Sequence, residues 1–340
     1  MYSLIRVNGA ASLAGNRFGD PVQRDVGVLL PPGYEGDGAR RYPVVICLAG
    51  YASTGPILAE AHHALDRPLH AQLSDRMASG DMPTAIILFP DCATRYGGSQ
   101  YIDSPNAGGY QSFLCDDLLS RIDGAYRTIA DPRARIVVGR SSGGYGAIRA
   151  LIDRPDAIGA AGALAPDCLF EHCYLPFFSA ALDYWAAHGG YGRFARLAAP
   201  VASLDHRFML AMSLIGMASV YSPLAQPGPD GAPFRLPYDP DTGVFDPLVW
   251  AEWKRHDLDT LLRAAPPARL QRCGPLSLRV GTMDEYNMQI SARFLRKVLK
   301  DTPIRLDYGE FDGFHGGNSQ VMADMIAGLL DRLDSAQAAA

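Results

Sequence analysis

Apolar runs of strand length recur along the chain and alternate with helical patterns. Most of the runs carry no polar residue in alternate positions, which is typical of strands that are covered on both faces of a parallel sheet. The runs are residues 26–30, 43–48, 84–89, 135–138, 158–164, 276–280 and 304–308. Apolar residues at helical spacing occur between and after them, in residues 113–122, 294–299 and 322–333. The alternation predicts an α/β fold with a mostly parallel central sheet flanked by helices.

Composition narrows the class of protein. The chain has 340 residues, enough for one α/β domain with an insertion. Its net charge is −5 and its basic residues form no concentrated cluster in the sequence, so we expect no nucleic-acid partner. No apolar run reaches the roughly 18 residues of a membrane span, and the N-terminal residues lack a signal-peptide pattern. The six cysteines form no CxxC pair. We therefore expect a reduced, cytoplasmic protein without a bound metal.

Residues 167–274 break the alternation, because no core strand is evident in them. This segment holds all three tryptophans, an aromatic cluster and a Pro- and Gly-rich loop over 223–247. A structureless loop of that length would be unusual in a compact domain. The segment is therefore predicted to be a large inserted cap, and residues 1–166 and 275–340 the core domain. Its aromatic residues either line a substrate pocket or hold the cap together.

Residues 139–143 match the pattern G-x-S-x-G, with Ser141 at its centre. By itself the pattern is weakly specific, since about 0.2 chance matches are expected in a chain of this composition. Its context is more informative: it directly follows the run 135–138 and precedes the helical pattern 145–152. A strand, a tight turn and a helix in this order are the setting of a nucleophile elbow, in which small flanking residues let the turn close. We therefore predict that Ser141 is a nucleophile.

A serine nucleophile needs a base, and the base needs a carboxylate partner. His315 lies between the last predicted strand and the last predicted helix, and is the candidate base. Asp284 follows the run 276–280 and is the candidate acid, with the adjacent Glu285 as the alternative. Ser141, Asp284 and His315 then all follow predicted parallel strands, where open α/β sheets carry their sites.

An acyl-transfer site also needs donors for the oxyanion of its tetrahedral intermediate. The backbone N–H of Ser142, directly after the nucleophile, is one predicted donor. The N–H of Tyr51, in the turn after the run 43–48, is the other.

With these residues, the sequence resembles the putative-esterase family of the α/β-hydrolase superfamily, which includes S-formylglutathione hydrolases, feruloyl esterases, siderophore esterases and mycolyl transferases. The resemblance extends from about Arg24 to the last helix, interrupted by the insertion. It is carried by residues 29–34 (LLPPGY), 41–45 (RYPVV), 90–91 (PD), 122–127 (IDGAYR) and the elbow with its doubled glycine. One departure is Ala49-Gly50, where the family commonly has His-Gly.

The resemblance implies an α/β-hydrolase fold and a serine hydrolase that acts on esters or thioesters without a cofactor. By position, the family's nucleophile, acid and base correspond to Ser141, Asp284 and His315. The loop 97–101 is expected near the pocket, with Gln100 and Tyr101 as candidate substrate contacts.

The leading functional hypothesis is a serine esterase that hydrolyses a small-molecule carboxylic ester through an acyl-enzyme on Ser141. The alternative is an acyltransferase that passes the same acyl group to an alcohol or a thiol. A third hypothesis is a binding or structural protein that has a hydrolase fold without catalytic activity. The sequence leaves the acyl group, the alcohol and the formation of a homo-oligomer open.

Overall fold

The computed structural model describes residues 1–36, 38–61, 67–196 and 205–338. Over these residues, eight strands form one sheet in the order β1-β2-β4-β3-β7-β8-β9-β10, and β5 pairs with β6 in a separate hairpin. Strands β3, β4 and β7 to β10 are parallel to one another. At one end of the sheet, β2 pairs antiparallel with both β4 and the edge strand β1. The strands are β1 Tyr2–Val7, β2 Arg24–Leu29, β3 Val44–Leu48, β4 Ile86–Pro90, β5 Asp103–Ser104, β6 Gly108–Gly109, β7 Arg135–Arg140, β8 Ala160–Leu164, β9 Leu276–Gly281 and β10 Leu306–Phe311.

Helices cover both faces of this sheet. The α-helices are α1 Gly55–Glu60, α2 Leu69–Ser79, α3 Tyr110–Ser112, α4 Leu119–Ala125, α5 Ser142–Asp153, α6 Phe170–Cys173, α7 Leu175–Ala187, α8 Tyr191–Ala195, α9 His206–Tyr221, α10 Pro247–Lys254, α11 Leu258–Ala264, α12 Pro267–Leu270, α13 Met288–Leu299 and α14 Ser319–Ala338. A π-helical segment, Phe113–Leu118, joins α3 to α4, and short 3₁₀ turns span Ala11–Leu13, Tyr34–Gly36 and Pro132–Ala134. The predicted mostly parallel sheet flanked by helices is confirmed.

Strand β3 shows why its apolar run is continuous. All five of its residues are buried. Val44, Ile46 and Leu48 belong to the hydrophobic cluster on one face of the sheet, and Val45 and Cys47 belong to the cluster on the other. Successive side chains of a strand point to opposite faces, so a strand that is covered twice needs an apolar residue at every position.

The predicted insertion lies between β8 and β9. Its described residues contain α6 to α12 and no strand, only isolated bridges such as that between Pro223 and Phe234. Trp185 and Trp253 are fully buried there, in the hydrophobic cluster that also contains one face of the sheet. The segment packs against α5 and α13, two of the helices that cover the sheet.

The turn from β7 to α5 brings three backbone segments into close approach. An ideal Cβ on Gly143 would lie 2.3 Å from the carbonyl oxygen of Leu48 and 2.6 Å from that of Ala49. One on Gly139 would lie 2.2 Å from the carbonyl oxygen of Gly143. A side chain at Gly143 would collide with backbone at the end of β3, and one at Gly139 with backbone in the first turn of α5, so the turn closes only with glycine at both.

We predict that Gly143→Ala lowers the free energy of unfolding by about 1–3 kcal/mol, because its methyl group would overlap backbone atoms that cannot move freely. Gly328→Ala is the matched control: it lies in α14 with no atom within 4 Å of an ideal Cβ, so the better helix propensity of alanine should add about 0.5–1 kcal/mol. Urea unfolding measures both. A Gly143→Ala variant as stable as wild type would contradict the close approach.

Candidate active site

A cavity of about 330 Å³ opens at the carboxyl ends of the parallel strands. Its lining includes Ser141, from the turn after β7, and His315, from the loop after β10. Asp167, in the loop after β8, also lines it. Parallel strands end at the same edge of a sheet, so side chains that are distant in sequence meet there.

His315 is oriented by two neighbouring acids with different roles. Its ring Nδ1 lies 2.7 Å from Oδ2 of Asp284, which is 3% exposed. Asp284 also accepts the backbone N–H of Tyr286 at Oδ1, at 3.0 Å. Glu285 instead accepts the backbone N–H of His315, at 2.9 Å. The geometry therefore pairs the imidazole with Asp284, and Glu285 holds the main chain of the loop.

Ser141 has an unusual backbone conformation, with φ 53° and ψ −124°. A non-glycine residue in this region costs on the order of 1–3 kcal/mol, and such strain clusters at functional sites. Its Oγ lies 3.5 Å from Oδ1 of Asp167. Among the described residues, no hydrogen bond joins Ser141 to His315, although both line the cavity.

Asp167 was not singled out by the sequence analysis. Its carboxylate is 3% exposed and accepts hydrogen bonds at Oδ2 from Ser142 Oγ (3.1 Å), Gln100 Nε2 (3.0 Å) and the Tyr174 hydroxyl (2.8 Å). Burial raises the pKa of Tyr174 well above its ordinary value, and the charge of Asp167 raises it further, so that hydroxyl keeps its proton and donates. The signal in the sequence was its place directly after a parallel strand.

Of the two predicted oxyanion donors, one directly follows Ser141 and the other lies in the loop after β3. Ser142 is the first residue of α5, where a helix offers no acceptor for the backbone N–H. Ala52 and Ser53 donate their N–H groups to nearby carbonyls, whereas the N–H of Tyr51 has no acceptor among the described residues. The loop runs beside Ser141, since an ideal Cβ on Gly50 would be 3.5 Å from Cβ of Ser141.

Gln100 and Tyr101, predicted as substrate contacts, lie behind the cavity wall. Neither is among the described residues that line the cavity, and they are 0% and 6% exposed. Both have positive φ, 50° and 54°, which turns their side chains inward. The Tyr101 hydroxyl donates to the carbonyl of Ala49 at 2.7 Å, directly before the loop of Tyr51. Tyr101 therefore supports that loop, and Gln100 supports Asp167.

Arg140 brings a cation to the His315 side of the cavity. Its Nη2 donates to the backbone carbonyl of His315 at 3.4 Å. Burial lowers the pKa of Arg140, and the nearby charges of Asp284 and Glu285 partly oppose that shift. These acids therefore face a guanidinium as well as the imidazole.

The inserted segment divides its aromatic residues between two roles. Tyr174 and Phe177 line the cavity, together with Met209 and Met217 of α9. The tryptophans are not among the described lining residues; Trp185 and Trp253 are buried in the core. Aromatic residues of this segment thus contribute both to the cavity wall and to the buried core, and Tyr174 belongs to both.

Residues 1–36, 38–61, 67–196 and 205–338 contain no group of three or more His, Cys, Asp or Glu side chains that could hold a metal ion. None of the helices described there is long and apolar enough to cross a membrane.

The sheet order and the serine turn at its carboxyl edge define an α/β-hydrolase fold. A family model described as "Putative esterase" matches residues 21–321. The chain belongs to this family and is a serine esterase.

Solved structures similar to this chain share the fold. A ferulic acid esterase is 17% identical with a TM-score of 0.60, covering 98% of this chain and 99% of that one. S-formylglutathione hydrolase from Agrobacterium tumefaciens is 15% identical with a TM-score of 0.57, over 98% and 95%. The enterobactin esterase of Shigella flexneri is 13% identical with a TM-score of 0.52, over 97% and 58%. No curated protein matches the chain.

We predict that Tyr101→Phe lowers kcat on the order of tenfold with little change in KM, because the loop of Tyr51 loses its hydrogen bond at Ala49 and the N–H donor is less well held. Tyr308→Phe is the matched control: it loses an equally short bond, 2.7 Å to Oε1 of Glu310, on the edge strand β10 far from that loop. Steady-state kinetics on an aryl ester separates kcat from KM. Equal effects of the two substitutions would remove the positioning role of Tyr101.

Proposed function

We propose that this esterase hydrolyses carboxylic esters through an acyl-enzyme on Ser141, with His315 as the base and Asp284 as its carboxylate partner. The observation that carries the proposal is the 2.7 Å contact between His315 Nδ1 and Asp284 Oδ2, beside a cavity that Ser141 enters from a strained turn. An Nδ1–H group that donates its hydrogen bond to Asp284 keeps its proton and leaves Nε2 unprotonated, as the basic nitrogen.

In the proposed reaction, the Ser141 hydroxyl turns from Asp167 toward His315 when an ester binds. Such contacts are often loose in the free enzyme and tighten in the complex. Oγ attacks the carbonyl carbon while its proton moves to Nε2, and the N–H groups of Tyr51 and Ser142 stabilise the oxyanion. The C–O bond then breaks, and the leaving alcohol takes the proton from Nε2. A water molecule, deprotonated by His315, then attacks the acyl-enzyme. The bond between the acyl carbon and Oγ breaks, Oγ takes the proton back from Nε2, and the acid is released.

Residues 167–274 act as a cap over the core formed by 1–166 and 275–340. Support comes from the wall that this segment contributes to the cavity, including Phe177 of α7 and Met209 and Met217 of α9. The apolar wall is suited to small-molecule esters of modest size. A cytoplasmic location is supported by the cysteines, all six of which are free thiols. No contact of the described residues favours the acyltransferase alternative.

We predict that Ser141→Ala abolishes p-nitrophenyl butyrate turnover and labelling by a fluorophosphonate probe, because both need the nucleophilic Oγ. Ser219→Ala is the control for loss of a buried hydroxyl, which here donates only to the carbonyl of Gly216 in α9; this variant should retain both signals. Undiminished turnover by Ser141→Ala would refute the mechanism.

We predict that Asp284→Asn lowers kcat on the order of 10³- to 10⁴-fold, because the amide holds the imidazole in the wrong tautomer. Glu285→Gln should cost less than about tenfold, since its amide oxygen can still accept the backbone N–H of His315. Burst and steady-state kinetics on one aryl ester measure both. The reverse ranking would make Glu285 the acid.

A further inference from the structure

The two oxygens of the Asp167 carboxylate are used very differently. Oδ2 accepts from Ser142, Gln100 and Tyr174 at 2.8–3.1 Å. Oδ1 has one contact, to Ser141 Oγ at 3.5 Å. A carboxylate oxygen accepts about two hydrogen bonds, and 3.5 Å is long for a bond between two oxygens. Oδ1 therefore has acceptor capacity left, and it is the oxygen beside the nucleophile.

The charge of Asp167 is also uncompensated. Its partners are neutral donors, and within the described residues no Arg, Lys or His side chain lies within ion-pair distance of it. The cavity cation Arg140 contacts His315 instead. A buried carboxylate without a cation is costly, and beside an oxyanion site it opposes the negative charge that develops in the reaction. A positive or donor group near Oδ1 would offset both effects.

On the basis of the proposed function, we propose that Asp167 selects esters that carry a hydrogen-bond donor, best a protonated amine, on the β carbon of the acyl group. A donor bonded to Oδ1 lies at most about 6.5 Å from Ser141 Oγ. The carbonyl carbon approaches Oγ to about 3 Å before attack. A donor on the β carbon spans that gap. The substrate class is esters of β-amino acids, with β-hydroxy acids as the neutral counterpart.

The first experiment uses the wild-type enzyme and three aryl esters that differ in one group: 3-methylbutanoyl, 3-hydroxybutanoyl and 3-aminobutanoyl. Each kcat/KM is divided by the rate constant of that ester with hydroxide, which removes intrinsic reactivity. We expect at least one donor ester to exceed the methyl isostere by tenfold or more, with the ammonium ahead of the hydroxyl. The donor ester with the larger corrected kcat/KM identifies the kind of donor that Asp167 prefers. A corrected kcat/KM of the 3-methylbutanoyl ester that equals those of both donor esters overturns the proposal.

The second experiment repeats the panel with Asp167→Asn. With its amide oxygen in the place of Oδ2, asparagine keeps the three internal donors, while its NH₂ replaces Oδ1 and cannot accept. The ratio of donor ester to methyl ester should fall at least tenfold, whereas a general loss of structure would lower both rates alike. Asp257→Asn is the control: a buried carboxylate that accepts the N–H groups of Leu169 and Phe170 outside the described cavity lining.

The two proposals fail in different ways. Full activity of Ser141→Ala on all three esters would remove the acyl-enzyme, and with it this inference. Ser141-dependent hydrolysis without donor preference would leave the proposed function standing and overturn only the role of Asp167. An unchanged ratio in Asp167→Asn, with preference present in wild type, would also assign the selectivity to another residue.

Discussion

The close approach of the turn after β7 to the end of β3 is the contact on which the site depends. Gly143 packs so tightly against the carbonyl oxygens of Leu48 and Ala49 that no side chain fits between them. The same contact brings the loop of Tyr51 beside Ser141 and starts α5 directly behind it. Backbone packing in the centre of the sheet thus determines the positions of Ser141 and of the N–H groups of Tyr51 and Ser142.

The burial of each strand determines how well it could be predicted from the sequence. Strands such as β3 and β4 are buried at every residue, and their sequences are continuous apolar runs that are easily recognised. Strand β1 was missed because it is an edge strand with exposed residues such as Leu4, which leaves no such run. Strand β10, the other edge, was predicted about two residues early, since the buried Ile304 precedes the strand itself.

The same distinction applies to the site. Ser141, Asp284 and His315 could be proposed together because each follows a parallel strand, and strand ends converge whatever the loops do. The directions in which the side chains of Gln100 and Tyr101 point could not be predicted, since they depend on two successive positive φ values that non-glycine residues rarely adopt. Asp167 follows β8 as directly as the others, but its role depends on which neighbours its two oxygens meet, and these come from distant segments.

The cavity wall owes its character to thioethers. Four methionines line it, from α9, α13 and α14: Met209, Met217, Met288 and Met322. Methionine is unbranched, with three rotatable bonds and a polarisable sulfur, so such a wall can change rotamers to fit differently branched guests. The shape of such a wall would discriminate poorly between ligands of similar volume. Selectivity would then depend on polar groups close to the reacting bond.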